Sequence, residues 1–229
     1  MNNIAEYLAQ LDTPIAINIR DDSNIDYSAN YSKENFSAYI NAAKQRLSYY
    51  YGETDAWLYQ ALQRYPITGM NVLLIGSANP WYEAICLTHG AASVTVMEYG
   101  PRPTIHPAVR YVKPHELTGR YDACLNISSV EHDGLGRYGD PIDANGDLKT
   151  MANLTQAVAP YGLHYLAVPV GRDLVAFNVH RIYGSRLINL CERWQIIDIF
   201  GFHDRWWLST VNNVHVTPYQ PLIVLRNSK

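Results

Sequence analysis

Two clusters of polar residues carry the groups that could do chemistry in this chain. The first runs Asn126, Ile127, Ser128, Ser129, Val130, Glu131, His132 and Asp133, leaving an apolar run. The second is Asn178, Val179, His180, Arg181, Ile182, Tyr183 and Gly184. A carboxylate or imidazole within hydrogen-bond reach of a hydroxyl can take its proton as the oxygen attacks. Asp133, His180 and His132 are therefore the candidate bases. Asp133 is preferred to His132, because a Glu-His pair after a strand also serves structure or cofactor. Next comes 134–141, with three glycines in six residues beside Arg137, Tyr138 and Asp140. Such a loop allows close backbone approach and reads as an acceptor-binding lid. An extended 178–183 would turn Asn178 and His180 to one face, Arg181 and Tyr183 to the other. The plainer readings are a glycine-rich connection, a satisfied core histidine and an arginine paired with a surface acid. Asp133, Asp140, Asp143 and Asp147 offer oxygen ligands for a hard cation, but the late glutamate of a calcium loop is missing. No metal site is expected.

A second constellation is a ligand cradle. The run 72–84 reads as a strand ending at Gly76, a tight turn, and a helix opening near Pro80. The following apolar run brings Glu98 to its tip, and a glycine turn with an acid on the next strand suits a ribose-bearing ligand. A dinucleotide would want G-x-G-x-x-G, so that the helix start can embrace a pyrophosphate. Here Trp81 and Tyr82 are bulky, and Glu83 puts a negative charge in the first helical turn, where it repels phosphate. Asn79 suits the N-cap and Pro80 the first helical position. S-adenosyl-L-methionine has no phosphate and carries an ammonium and a sulfonium. It is the expected cofactor, held by Gly76, Ser77, Pro80, Trp81, Glu83, Glu98 and Tyr99. Either half alone reads equally as an ordinary turn or an exposed strand end.

The elements needed to position these groups follow from periodicity. Strands are predicted at 71–75, 93–98, 109–112, 121–127, 163–168, 194–200 and 221–226, with helices near 80–89, 147–159 and 185–192. This alternation implies an α/β fold, a mostly parallel sheet with helices on both faces. Upstream, 1–30 reads as a loosely ordered arm with one short helix near Ile4 to Leu11. A helix from Ser32 carries Phe36, Tyr39, Ile40, Ala43, Leu47 and Tyr50 on one face, and another follows Thr54, a plausible N-cap. Residues 1–65 are thus expected to form an arm and helical lid, and 66–229 the cofactor-binding core. Tyr49, Tyr50 and Tyr51 could fold over the cofactor; His203, Asp204, Arg205, Trp206 and Trp207 could offer stacking surface. A net charge of −3 without a basic block argues against nucleic acid. Three scattered cysteines, no secretory signal and no membrane-length apolar run lead to the expectation of a cytoplasmic protein.

The strings VLLIGSANPWYE, VTVMEYG, SSVEHDGLGRYGDPIDANGD, LAVPVG and FNVHRIYG resemble a family of class I S-adenosylmethionine-dependent methyltransferase-like domains. That family, formerly of unknown function, includes enzymes that O-methylate sugars of surface glycans. The likeness runs from about Tyr49 to Phe200. It implies the Rossmann-like seven-stranded methyltransferase sheet with the last strand antiparallel. It places Ser128, Ser129 and Glu131 toward the cofactor, and Arg137, Tyr138, Asp140, Asn178, Arg181 and Tyr183 toward a sugar or oligosaccharide acceptor. Association with a glycosyltransferase is compatible with such an acceptor. The family's glycine turn departs from the common D/E-x-G-x-G, so cofactor use is implied by position. Two rivals stay open. One is a non-catalytic Rossmann-like module binding glycan or a partner. The other is a NAD-dependent sugar oxidoreductase, for which no Tyr-x-x-x-Lys pair is found.

Overall fold

The computed structural model describes residues 15–17 (as backbone), 22, 25–203 and 219–228. The expected helix near Ile4 to Leu11 and the stacking group from Asp204 to Trp207 lie outside the described residues. Ten strands occur in chain order: β1 (Ile15–Ile17), β2 (Asn71–Ile75), β3 (Ser93–Met97), β4 (Val109–Val112), β5 (Tyr121–Ile127), β6 (Val158–Ala167), β7 (Leu174–Phe177), β8 (His180–Ile182), β9 (Trp194–Phe200) and β10 (Leu222–Asn227). Five helices accompany them: α1 (Lys33–Lys44), α2 (Glu53–Arg64), α3 (Trp81–Thr88), α4 (Gly146–Ala157) and α5 (Arg186–Cys191).

Seven strands form one sheet in the order β4-β3-β2-β5-β6-β10-β9. Its pairs are parallel except those of β10, which is antiparallel to both β6 and β9. The expected mostly parallel sheet with an antiparallel last strand is observed. Both faces are covered, and β2 shows why its sequence is apolar throughout. Val72 and Leu74 point into a core with Leu58, Trp81, Ile85 and Leu125, while Leu73 and Ile75 meet Met151, Leu154 and Leu187 on the other face. Among the described residues, no helix is long and apolar enough to cross a membrane.

Local signals work where no distant partner competes for the side chain. Ser32 caps α1 by accepting the Asn35 N–H at 3.0 Å. Gly90, at φ +82°, closes α3 with the Ala91 N–H returning to the Cys86 carbonyl. Other expectations are corrected. Thr54 is not an N-cap: α2 begins at Glu53, and the Thr54 hydroxyl donates to the Gln220 carbonyl at 2.8 Å. Asp147, which by residue type could cap the helix expected at 147–159, does not cap α4; it is buried and accepts from the Tyr183 hydroxyl at 3.0 Å. Helix α1 ends at Lys44, short of Leu47 and Tyr50, which are exposed. Pro160, Tyr161 and Gly162 read as a turn into the strand expected at 163–168, but they lie inside β6, where a register shift opposite Tyr121 to Ala123 absorbs them and Tyr161 takes φ +60°.

The upstream arm is not free of regular structure. Strand β1 pairs in parallel with β7, which pairs with β8 in a second, three-stranded sheet. The segment 177–184 is therefore not continuously extended. Its hairpin loop puts Asn178 at φ +61°, a left-handed position that asparagine tolerates.

Candidate active site

Strands β2 and β5 are neighbours, yet the chain leaves them toward opposite edges of the sheet, which opens a crevice at their carboxyl ends. The two tips nearly touch. Gly76 has φ +70°, and a Cβ built on it would lie 2.5 Å from Ser129 Oγ. Glu98, at the tip of β3, accepts the Ser77 N–H at 2.8 Å and the Tyr99 N–H at 2.8 Å. Arg102 pairs with Glu98 at 3.4 Å and donates to the Ser77 carbonyl at 3.0 Å. Beneath the turn, Ser77 Oγ donates to Glu83 Oε1 at 2.7 Å, and the Tyr31 hydroxyl lies within 2.8 Å of the Ser77 carbonyl. Glu83 is fully buried, and desolvation pushes its carboxyl up to about 7. The Gly76 and Ser77 N–H groups of this turn are thus committed within the protein, to the Met97 carbonyl and Glu98, and buried acid underlies it.

The crevice widens into a cavity of about 710 Å³, a volume suited to a cofactor-sized ligand. Its lining includes Ser128 and Ser129 beside Gly76, and also His132, Asp133, Arg137, Tyr138, Asp140 and His180. Asp133 follows a 3-10 turn, Val130–His132, with the Thr150 hydroxyl beside its carboxylate, and burial raises its carboxyl to about 7. His132 Nδ1–H donates to the Val179 carbonyl, which leaves Nε2 as the lone-pair nitrogen. Desolvation holds His132 down to about 3 and His180 to about 4, with Arg137 lowering both further. Both imidazoles are therefore neutral at physiological pH. Glu131 is fully buried, accepts the Ser128 hydroxyl at 2.6 Å, and is raised by desolvation to about 8.

Of the residues singled out from sequence, Gly76, Ser77, Glu98, Tyr99, Ser128, Ser129, His132, Asp133, Arg137, Tyr138, Asp140 and His180 line this one cavity. Pro80, Trp81, Glu83 and Glu131 do not line it and stand behind its wall. Trp81 is fully buried, its indole N–H on Asp55 at 3.1 Å. Asn178, Arg181 and Tyr183 also stand outside the lining. Asn178 Nδ2 donates to the Leu135 carbonyl at 3.1 Å. Arg181, 1% exposed, donates to the carbonyls of Glu131, Asp133, Asp143 and Ala144. It clamps the glycine loop from below, while Asp140 organises it from within by accepting the N–H groups of Gly134, Gly136 and Tyr138. Gly134 (φ +81°) allows the close packing this needs, since a Cβ there would lie 2.1 Å from the Asp143 carbonyl oxygen. Asp147 is held by Tyr183 and Arg186. Among the described residues, no group of three His, Cys, Asp or Glu is placed to hold a metal ion.

Sequence reasoning missed four residues. Asp55 is fully buried and accepts from Tyr49 N, Tyr50 N, Trp81 Nε1 and the Tyr82 hydroxyl, which ties the tyrosine run to α3. Gln220, buried, lines the cavity and donates to Ser128 Oγ at 3.2 Å. Asp22 pairs with Arg137 at 2.6 Å. Tyr27 lines the cavity and lies over Arg102, the guanidinium carbon 5.0 Å from its ring. Glu53 and Asp55 were visible as acids opening a helix, but nothing local distinguishes the buried one.

The architecture is the class I methyltransferase-like Rossmann fold, with the cavity at its switch point. The chain belongs to the family described as "Caenorhabditis protein of unknown function, DUF268", whose profile matches residues 69–213. No curated protein matches the sequence. Among solved structures, it is similar to the 1,6-didemethyltoxoflavin-N1-methyltransferase of Burkholderia thailandensis, bound to 1,6-didemethyltoxoflavin and S-adenosylhomocysteine. The TM-score is 0.53 at 16% identity, over 92% of this chain and 94% of that one. It is also similar to the N-methyltransferase NodS of Bradyrhizobium japonicum WM9, at TM-score 0.50 and 13% identity, over 77% of this chain and 95% of that one. At these identities the likeness is one of fold.

Proposed function

We propose that the protein is an S-adenosyl-L-methionine-dependent O-methyltransferase whose acceptor is a sugar hydroxyl of a glycan or glycan precursor. The observation that carries this reading is the chemistry of the crevice. At one end is a glycine cradle whose Gly76 and Ser77 N–H groups are already committed and whose floor is acidic. At the other is a half-buried carboxylate with a raised pKa. The first end suits an adenosyl ligand with cationic substituents, because Glu83, buried in the first helical turn, opposes a pyrophosphate. Gly76, Ser77, Glu98 and Tyr99 would hold the adenosyl part, and Ser128, Ser129 and Gln220 would face the amino-acid part. The bound cofactor supplies a methyl group already activated by its sulfonium.

The chain's own residues do the rest. Asp133, with a carboxyl near 7, is half deprotonated at neutral pH and takes the acceptor proton. His132, locked through Nδ1, presents Nε2 as a hydrogen-bond acceptor that orients the acceptor through a second hydroxyl. Tyr27, Tyr50, Tyr51 and Tyr138 exclude water, and the segments before residue 66 act as a lid. The two similar solved proteins are N-methyltransferases; a hydroxyl acceptor needs the base that Asp133 would provide. The sugar assignment rests on the resemblance of the 128–147 and 177–184 motifs, and a cytoplasmic location with a glycosyltransferase neighbour accords with it.

Calorimetry with S-adenosylmethionine, S-adenosylhomocysteine and NAD tests the cofactor. Saturable binding of the two adenosyl-sulfur ligands and none of NAD is expected. Binding of NAD alone would overturn the reading.

A further inference from the structure

The geometry points to an acceptor that carries a carboxylate, received by Arg137 at the place Asp22 fills in the structure. This inference rests on the methyl-transfer reading and narrows its acceptor. Two guanidiniums line the cavity, those of Arg102 and Arg137. That of Arg102 is committed to Glu98 and the Ser77 carbonyl at the cradle end. That of Arg137 stands at the far end with His132, Asp133 and His180, over the ring of Tyr138 at 4.9 Å. Arg137 Nε donates to Asp22 Oδ2 at 2.6 Å, and the Asp22 N–H donates to the Arg137 carbonyl at 2.8 Å. The other carboxylates at this end face different partners: Asp140 takes three backbone N–H groups, and Asp133 faces Thr150.

Two arginines serve the same loop, and their contrast carries the argument. Arg181 is sealed beneath it on four carbonyls, and Asp140 fixes its backbone, so the loop's shape does not need Arg137. Arg137 instead lines the cavity near His132 and His180, and meets a carboxylate from 115 residues away in the chain. The pair is largely buried, with side chains 13% and 8% exposed. A guanidinium left there unpaired is strongly unfavourable, so a neutral acceptor that displaces Asp22 loses the pair without replacement. An acceptor carboxylate restores the charge opposite Arg137 Nε, while Arg137 Nη1 stays on the Val179 carbonyl at 3.5 Å. Asp22 then acts as an internal stand-in that discriminates against neutral sugars. His180 adds to the same end: it is 8% exposed, and its Nε2 has no hydrogen-bond partner among the described residues. An arriving carboxylate offers it one and raises its proton affinity, opposing the effect of Arg137.

The test uses the full chain. S-adenosylhomocysteine binding is measured first, so that its failure counts against the methyl-transfer reading alone. D-glucuronate, D-glucose and inorganic phosphate are then titrated in the millimolar range, with and without that ligand, following the imidazole NMR signals of His132 and His180. Glucuronate is expected to bind at least about tenfold tighter than glucose and to raise the His180 titration midpoint. Asp22→Asn should tighten glucuronate several-fold by removing the competitor. Arg137→Ala should abolish the preference; Arg137→Lys, which keeps the charge, covers the case in which the alanine variant fails to fold. Glucuronate no tighter than glucose, absent binding to the Asp22→Asn form, or phosphate binding as tightly as glucuronate would each overturn the inference.

Discussion

Asp133 and His132 are adjacent in sequence and opposite in protonation behaviour. Burial raises the carboxyl to about 7 and lowers the imidazole to about 3, because each environment disfavours charge. Under the proposed reaction the base must be ionised, so methyl-transfer rate should rise with pH and level off above an apparent pKa near 7. Asp133→Asn should lower kcat by about 10²–10⁴-fold and remove that limb, with S-adenosylhomocysteine affinity retained. A steady-state pH–rate series on both forms checks this; an unchanged profile would remove Asp133 from the chemistry. Arg181 belongs to a different category. Its type and its place in the motif suggested a substrate contact, but its donors are taken by carbonyls of the loop that presents Asp133. Arg181→Ala should therefore destabilise the fold by about 3–5 kcal/mol, since Asp147 loses one partner and buried carbonyls lose theirs. Chemical denaturation measures that loss, which should appear whatever ligand is present.

At the scale of elements, the strand–turn–helix cradle depends on two fits. Gly76→Ala would place a methyl against Ser129 at a left-handed backbone position. We expect a stability loss of about 1–2 kcal/mol and weakened adenosyl-ligand binding, read by thermal shift with and without S-adenosylhomocysteine. The second fit is Asp55, where α2 meets α3 and the tyrosine run. Asp55→Ala leaves the N–H groups of Tyr49 and Tyr50, the Trp81 indole and the Tyr82 hydroxyl without their acceptor. A loss of about 3 kcal/mol is expected, since each buried donor left unpaired costs about 1–3 kcal/mol. Hydrogen exchange should show it concentrated in α2 and the start of α3. A loss spread evenly over the sheet would argue against this local role.

For the whole molecule, buried titratable groups set two opposed pH limits. His132, His164 and His180 have folded values of about 3, 3 and 4, below the ordinary 6.5. As pH falls from 6.5, the unfolded chain takes up their protons and the folded chain does not, so these groups lower stability toward acid. Glu83, Glu131 and Asp133 are raised to about 7, 8 and 7. Above their ordinary values the unfolded chain releases protons that the folded chain keeps, so they lower stability as pH rises toward 7–8. The two sets offset between about 4.5 and 6.5, and stability should fall on either side of that window. His164 isolates the acid limb: it packs on Trp194 at 4.8 Å, and neither ring nitrogen has a hydrogen-bond partner among the described residues. His164→Leu should flatten the acid limb by about 1.4 kcal/mol per pH unit, as read from denaturation midpoints across pH. An unaltered slope would mean that His164 is not the group titrating.

The sequence by itself determined the sheet, its covering helices, and the cluster around Gly76, Glu98 and Asp133. Those features rest on local causes: two-fold alternation buries both faces of β2, Ser32 caps the helix that follows it, and Gly76 permits the turn that its strand requires. Tertiary structure decided which polar side chains face the cavity and which hold its wall. Asp22 meets Arg137, Asp55 meets Trp81, Gln220 meets Ser128, and Arg181 vanishes under the loop, all across long stretches of chain. The reason is physical: a carboxylate or guanidinium looks the same in sequence whether solvent, substrate or a buried carbonyl satisfies it. Only the packed chain supplies the partner that tells these apart.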